Sequence, residues 1–356
     1  MARDSIVAET AARIFSDVCD PQAVNRAPDE GWKAPAWTAL EEAGLPLAWV
    51  PDALGGAGAN LADGFAVLRE AGRFAVPLPL AETMLAGFLL GSAEILSPKG
   101  AMSCGPTREG DEVTLGRDGT LAGRLRAVPF AKEAKHLAVL ARRKNGADVV
   151  ALVEASAVRI SDGTGIAGDA LNVVTLDGAR TIAAMDAPAG LDLELLMLMG
   201  AAVRSVQMAG ALEAILDLSV AYANERIAFE RPIAKFQAVQ HNLARLAGEV
   251  AAAVAAAGSA ADAIATTRAA GFSEGVFLEA ASAKIRVGEA AGEGAAIAHQ
   301  VLGAIGFTKE HHLHRFTRRL WAWRDDFGSE SFWAVKLGRL VAAKGADGLW
   351  PMLAAR

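Results

Sequence analysis

From about residue 3 to residue 97, apolar positions recur at three- and four-residue intervals, which predicts a run of helices. Trp37–Gly44 is one such segment, with Gly44 as its stop. Pro51, Gly55, Gly56 and Gly58 then read as a loop. Asn60 or Asp63 starts the next helix, which ends near Gly72. A GGAG loop can cradle a phosphate, but this one follows no strand, and turn geometry is the simpler reading. From about 101 to 187 the pattern changes to short apolar runs broken by turns. Asp118-Gly119 and Asn145-Gly146 are hairpin signals, so this stretch reads as a small, mostly antiparallel β domain. Beyond about 188 helical spacing returns, in long segments at Leu191–Tyr222 and Ala234–Ala270 and a further one at Phe272–Gly292. The Ala-rich run GEVAAAVAAAGSAADAIA suits close-packed bundle helices and implies no chemistry. The expected organisation is therefore 1–100 helical, 101–187 β and 188–356 helical bundle, with no solenoid repeat.

The 356 residues suffice for two or three domains with an ample core. Of these, 53% are hydrophobic but only 6% aromatic, because much of the apolar content is Ala. A net charge of -6 gives no electrostatic case for nucleic acid as the main partner. Two cysteines, Cys19 and Cys104, make no disulfide framework, which suggests reduced thiols and a cytoplasmic setting. The first residues, MARDSIVAET, lack the apolar core of a signal peptide. No charge-free apolar run reaches the length of a membrane span, and Leu191–Met199 reads as a short buried segment.

The densest chemistry lies in Tyr222–Ala244, YANERIAFERPIAKFQAVQHNLA. Two helices meet at a bend marked by Pro232. Arg226 and Phe229 bracket one side, and Phe236, Gln237 and Gln240 the other. A guanidinium and free N–H groups at a helix start suit a phosphate or pyrophosphate. An ordinary hairpin with a solvated arginine has the same composition. This stretch resembles the signature of the acyl-CoA dehydrogenase family, an ER-x-x-F-G-[KR]-x-[IL]-x-x-x-Q run that contributes to FAD binding across a subunit interface. Glu230 stands where the family usually has Gly. The run W-x-x-L-x-E-x-G-L-x-x-x-x-V-P-x-x-x-G-G-x-G, beginning at Trp37, resembles the family's N-terminal helical domain. Gln300–Phe307, Q-x-x-G-x-x-G-F, resembles its Q-x-x-G-G-x-G-[FY] turn, which contacts the adenine half of a neighbour's FAD. Gln300 and Gly303 match, and Ala304 replaces the second Gly. The fold implied is mostly α and acyl-CoA dehydrogenase-like, with an N-terminal helical domain, a small central β domain and a C-terminal four-helix bundle.

His311, His312 and His314 invite a metal hypothesis, but they lack the i, i+4 spacing of a helical site and have no cysteine nearby, so no metal is expected. His241 and His299 flank the cofactor-type motifs and read as hydrogen-bonded structural residues.

The resemblance also implies what is missing. Acyl-CoA dehydrogenases remove the α-proton of a CoA thioester with a carboxylate and pass the β-hydride to flavin. In most relatives that Glu precedes Gly-[TS], seventeen positions after the E-[HYF] of the preceding block. Counting from Glu310 reaches Phe327, followed by Gly328-Ser329. In others the base lies twenty-six positions before the hairpin arginine, which here is Gly200. Asp326 and Glu330 are weak substitutes. The flavin-ring segments T-E-P-x-x-G-S-D and W-I-[ST] are also absent, with Val128-Pro129-Phe130 in place of the second. The pattern implies the non-catalytic subunit of a heteromeric (α2β2) dehydrogenase. Arg226, Phe229, Phe236, Gln237, Gln300, Gly303 and Ser329 would contact FAD, and a catalytic acyl-CoA dehydrogenase subunit would supply the base. The implied partners are an acyl-CoA, such as one from fatty acid or steroid side-chain breakdown, and an electron-transfer flavoprotein. A self-sufficient homo-oligomer with a relocated base, an FAD-less structural subunit, and a flavoenzyme with a non-CoA substrate stay open.

Overall fold

The computed structural model describes residues 6–267 and 273–354. The N-terminal segment forms α1 (Ile6–Val18), α2 (Pro21–Arg26), α3 (Lys33–Glu42), α4 (Leu61–Arg73) and α5 (Leu80–Ser92). Gly44 closes the α3 region at a φ of +70°, and the Asn60 side chain caps α4 by accepting from Asp63 N at 2.8 Å. The GGAG loop packs on its own chain. A Cβ at Gly56 would stand 2.0 Å from the Val50 carbonyl, so close backbone approach accounts for the glycine.

The sheet contains β1 (Met102–Gly105), β2 (Val113–Leu115), β3 (Thr120–Pro129), β4 (His136–Arg143), β5 (Asp148–Glu154), β6 (Arg159–Ser161), β7 (Leu171–Arg180) and β8 (Ala183–Asp186). The strand order is β6-β7-β3-β2-β4-β5-β8, with β1 also on β4. Both predicted hairpins form, β2–β3 around Asp118-Gly119 and β4–β5 around Asn145-Gly146. Most pairs are antiparallel, but β1 and β2 both run parallel to β4, one along each half of it. The apolar face formed by Leu121, Leu125, Val139, Val149 and Val174 makes a separate core under the sheet.

The C-terminal helices are α6 (Leu193–Glu225), α7 (Gln237–Thr266), α8 (Glu274–Leu302), α9 (Leu313–Asp325), α10 (Glu330–Lys344) and α11 (Ala346–Ala354). A two-stranded ribbon, β9 (Ile227–Ala228) and β10 (Arg231–Pro232), links α6 to α7. The predicted ends at Ala270 and Phe272 lie outside the described residues, and α8 runs ten residues past Gly292. The apolar segment at Leu191–Met199 is only the start of α6. The most apolar 18-residue window of α6 is long and apolar enough to cross a membrane by composition, yet it is wholly buried in the protein. In the corresponding window of α7 a third is buried.

Alanine and glycine let these helices approach closely. A Cβ at Gly72 of α4 would stand 2.0 Å from Gln207 O, and one at Gly210 of α6 2.0 Å from Arg69 O, so α4 and α6 cross backbone on backbone. Gly294 of α8 faces Leu212 and Ile215 of α6 and Leu246 of α7. With Gly200 and Lys284 both beside the loop before α10, this sets α6 and α8 parallel and α7 antiparallel. The architecture is mostly helical, with a small sheet and a C-terminal bundle.

Candidate functional site

The predicted site residues fall into two groups at different heights of the bundle. The first lies where α6 and α8 end and α7 begins. Arg226 is the exposed C-terminal cap of α6. Phe229 and Glu230 form the turn of the β9–β10 ribbon, with φ of +49° and +66°. Such left-handed backbone is natural for glycine and strained for a side chain, which is the physical meaning of Glu230 standing where Gly is usual. Phe229 is 89% exposed and packs edge-on against Phe236, centroids 6.1 Å apart. The Arg231 guanidinium covers the other ring, 4.3 Å from the Phe236 centroid. Gln237 opens α7, whose N-terminus has no side-chain cap, leaving first-turn N–H groups without side-chain partners. Gln240 donates to Ala234 O at 2.9 Å.

Gln300 is exposed on the last turn of α8, and Gly303 ends that helix at a φ of +64°. Ala304 is accommodated within the short helical turn Gly303–Phe307. Ile227, Phe229 and Phe307 make this end unusually apolar for a surface, at 55%, 89% and 74% exposure. His299 sits behind it as a packing residue. Its Nε2 lies 3.0 Å from Thr317 Oγ1, its ring stacks on Phe307, and burial pushes its pKa down. His241 is exposed on α7.

The second group surrounds Gly200, on the opposite half of the bundle. Gly288, which faces Glu330, is separated from Gln300 by about 18 Å of helix at about 1.5 Å per residue. The Phe327 ring fills the space over Gly200. A Cβ there would lie 2.2 Å from Phe327 Cδ1. The two positions at which a catalytic carboxylate was sought thus converge on one spot, and an aromatic ring occupies it. Phe327 is 2% exposed and held at a φ of +53°. Its loop is fixed from below by the buried Lys284, which donates to Arg324 O at 2.5 Å and Gly328 O at 2.8 Å. Burial pushes the Lys284 pKa down to about 8. Trp333 Nε1 donates to Phe327 O at 3.0 Å.

Glu82, Asp326 and Glu330 are each engaged by an arginine. Arg204, one helical turn beyond Gly200, donates to Glu82 at 2.5 Å, Asp326 at 2.9 Å and Gln207 at 2.6 Å. Arg204 and Glu82 are each 2% exposed, and burial pushes the Glu82 pKa up against the pull of Arg204. Asp326 is therefore a counter-ion of Arg204, and Glu330 is paired with Arg324. Ser329 caps α10, accepting from Phe332 N at 3.4 Å. Sequence reasoning missed Arg204, Glu82 and Lys284. The available signal was a lone arginine amid LMLMGAAVRSVQMAGAL and a lone glutamate in LAETMLAGFLL.

Of Val128-Pro129-Phe130, where flavin-ring contacts were sought, Val128 is buried and Pro129 and Phe130 border a cavity of about 210 Å³ shared with Arg204, Trp321, Trp323, Asp325 and Asp326. That is below the range of about 300–1,000 Å³ usual for small-molecule sites. The first group thus has groups that suit an ADP-type anion, whereas in the second the cavity is small and the two carboxylates weighed as a base, Asp326 and Glu330, are paired with arginines.

The three histidines do not converge on one point. His311 accepts from Leu313 N, His314 contacts the His311 carbonyl, and His312 is bonded to the Gln22 amide.

Residues 193–324 match the family described as acyl-CoA dehydrogenase, C-terminal domain. The acyl-CoA dehydrogenase IpdE2 of Mycobacterium tuberculosis is 29% identical over 323 residues, covering 87% of this chain and 88% of that protein. Among solved structures, the ChsE4–ChsE5 complex from Mycobacterium tuberculosis is similar at a TM-score of 0.81 and 22% identity, covering 96% of this chain and 97% of that one. The Tcur3481–Tcur3483 steroid ACAD is similar at a TM-score of 0.80 and 25% identity, covering 95% and 97%. The family match over residues 193–324, the chain-long relatives and the shared architecture together support an acyl-CoA dehydrogenase family member.

Proposed function

We propose that this chain is the non-catalytic subunit of a heteromeric, FAD-dependent acyl-CoA dehydrogenase. The observation that carries the reading is the Gly200–Phe327 contact, since both positions expected to hold the base are closed by one ring. Arg204 engages the only nearby alternative weighed on the same loop, Asp326. FAD supplies the hydride acceptor in this chemistry. In this chain Arg226, Gln237 and Gln300 would hold its phosphate and adenine side, with Phe229, Phe236 and Gly303 shaping the contact. Ser329, already a helix cap, has a weaker claim. The exposed Ile227, Phe229 and Phe307 around these residues fit a surface covered by another chain. The catalytic carboxylate would come from that chain. Two structural relatives are named as pairs, and one is named a steroid ACAD, which favours a CoA thioester with a bulky acyl group; an electron-transfer flavoprotein as acceptor is what the family resemblance implies.

The test is FAD stoichiometry and turnover of a CoA-thioester panel, for the chain alone and co-expressed with a family member that retains the Glu-Gly-Thr sequence. The expected result is a colourless, inactive lone chain and a pair with one FAD per two chains. In that pair, Arg226→Ala loses FAD. A lone chain that is yellow, with one FAD each, and active overturns the reading and returns attention to Asp326.

A further inference from the structure

A sizeable cavity lies away from both groups above. It is an open cleft of about 650 Å³, bordered by the α2–α3 connection, the sheet loops near Lys132 and Asp162–Asn172, and one face of α9. Arg315, Arg318 and Arg319 line it from α9. Their i, i+3, i+4 spacing puts all three guanidiniums on one helix face, opposite Thr317, which faces His299 of α8.

Nearly every acidic group bordering the cavity already has a partner. Lys33 pairs with Glu30 at 3.0 Å and with Glu133 at 3.5 Å, and Lys132 pairs with Asp162. Asp169 pairs with Arg319, and Asp29 accepts from Gly31 N. Two cations are left over. Arg318 donates to the Ile166 carbonyl and has no carboxylate partner among the described residues. Arg315 makes neither contact, feels Asp169 only at longer range, and has its Nε buried without a hydrogen-bond partner. Arg319 is 3% exposed, and its Nε is likewise buried and unpartnered. Burial and the neighbouring Arg319 push the Arg315 pKa down to about 10.

Asp169 is one carboxylate set among three part-buried or buried guanidiniums, and each unmet N–H adds to the cost of drawing them from water. Such a cluster persists where a ligand supplies the missing negative charge. A planar carboxylate is satisfied by one arginine fork. Several forks converging from successive turns suit a tetrahedral oxyanion. The volume leaves room for the rest of a small molecule.

We propose that this cavity binds a phosphorylated small molecule, with its phosphate held by Arg315, Arg318 and Arg319. The site is separate from the FAD-contacting surface proposed above and does not depend on that reading.

The test is calorimetric titration of the full chain, without partner or FAD, with inorganic pyrophosphate and with ADP in phosphate-free buffer. With Arg226→Ala as the background, which removes the other anion-binding group, saturable binding at one site per chain is expected. Arg315→Gln and Arg318→Gln should each weaken it at least tenfold, and Arg142→Gln, on the sheet, should leave it unchanged. In the same buffer Arg315→Gln should melt at or above the wild-type temperature, because it removes a guanidinium with a buried, unpartnered Nε beside Arg319. Citrate is the carboxylate control. The proposal fails if pyrophosphate and ADP do not saturate a site, if Arg315→Gln binds as the wild type does, or if citrate binds more tightly than pyrophosphate.

Discussion

Phe327 lies against the bare backbone of Gly200, so close that a single methyl group at Gly200 would stand 2.2 Å from its ring. Helix α6 and the loop before α10 are therefore fitted to each other at that point. Gly200→Ala should destabilise the protein by about 1–3 kcal/mol through overpacking. Phe327→Ala should cost about 3–5 kcal/mol as a cavity mutation. Combined, the two should cost less than their sum, because removing the ring makes room for the methyl. Urea denaturation of the four proteins checks this. Strict additivity would mean that the contact is not the source of the strain.

Arg204 neutralises two carboxylates from distant segments, Glu82 and Asp326. Arg204→Met should lose about 3–5 kcal/mol, because it leaves Glu82 buried and unpaired. Glu82 already has a pKa raised by burial, and losing Arg204 raises it further. A carboxylate with a raised folded-state pKa favours the folded state at low pH, so the deficit should shrink as pH falls. Chemical denaturation at pH 5 and pH 8, with Glu82→Gln/Arg204→Met as the rescue variant, measures both effects.

His312 has its pKa pushed down from 6.5 to about 4, by burial first and then by the stacked His311. The unfolded chain therefore binds this proton more readily than the folded one. Its contribution to stability is complete above about pH 6.5 and is lost as pH falls towards 4. His312→Gln removes the titration. The wild type should lose more melting temperature than this variant between pH 7 and pH 5, and equal losses would contradict the assignment.

Glu230 carries a side chain at a φ of +66° in the exposed turn of the β9–β10 ribbon. Glu230→Gly should relieve left-handed strain of about 1–2 kcal/mol and give back about 0.5–1 kcal/mol in chain entropy. A net gain of up to about 1 kcal/mol is expected in the denaturation midpoint. A loss would show that the Glu230 side chain makes an offsetting contribution.

What the sequence determined by itself is local. Asn60 caps α4, Gly44 stops the α3 region, and Asp118-Gly119 and Asn145-Gly146 turn their hairpins, because each signal acts within a few residues of where it is written. Periodicity foresaw the long bundle helices for the same reason, and the family resemblance, counted along the chain, pointed to Phe327 and Gly200 as the positions to inspect. Only the tertiary structure decided that these two residues, 127 apart in number, touch, and that the ring closes the site. It likewise decided that Asp326 is held by Arg204 and that Arg315 faces a cavity without a counter-ion. The parallel partners of β4 belong here too, since nothing in a short apolar run specifies which edge it will join. Capping and turn chemistry are properties of neighbouring residues. Charge pairing, desolvation and space filling depend on what the rest of the chain brings alongside.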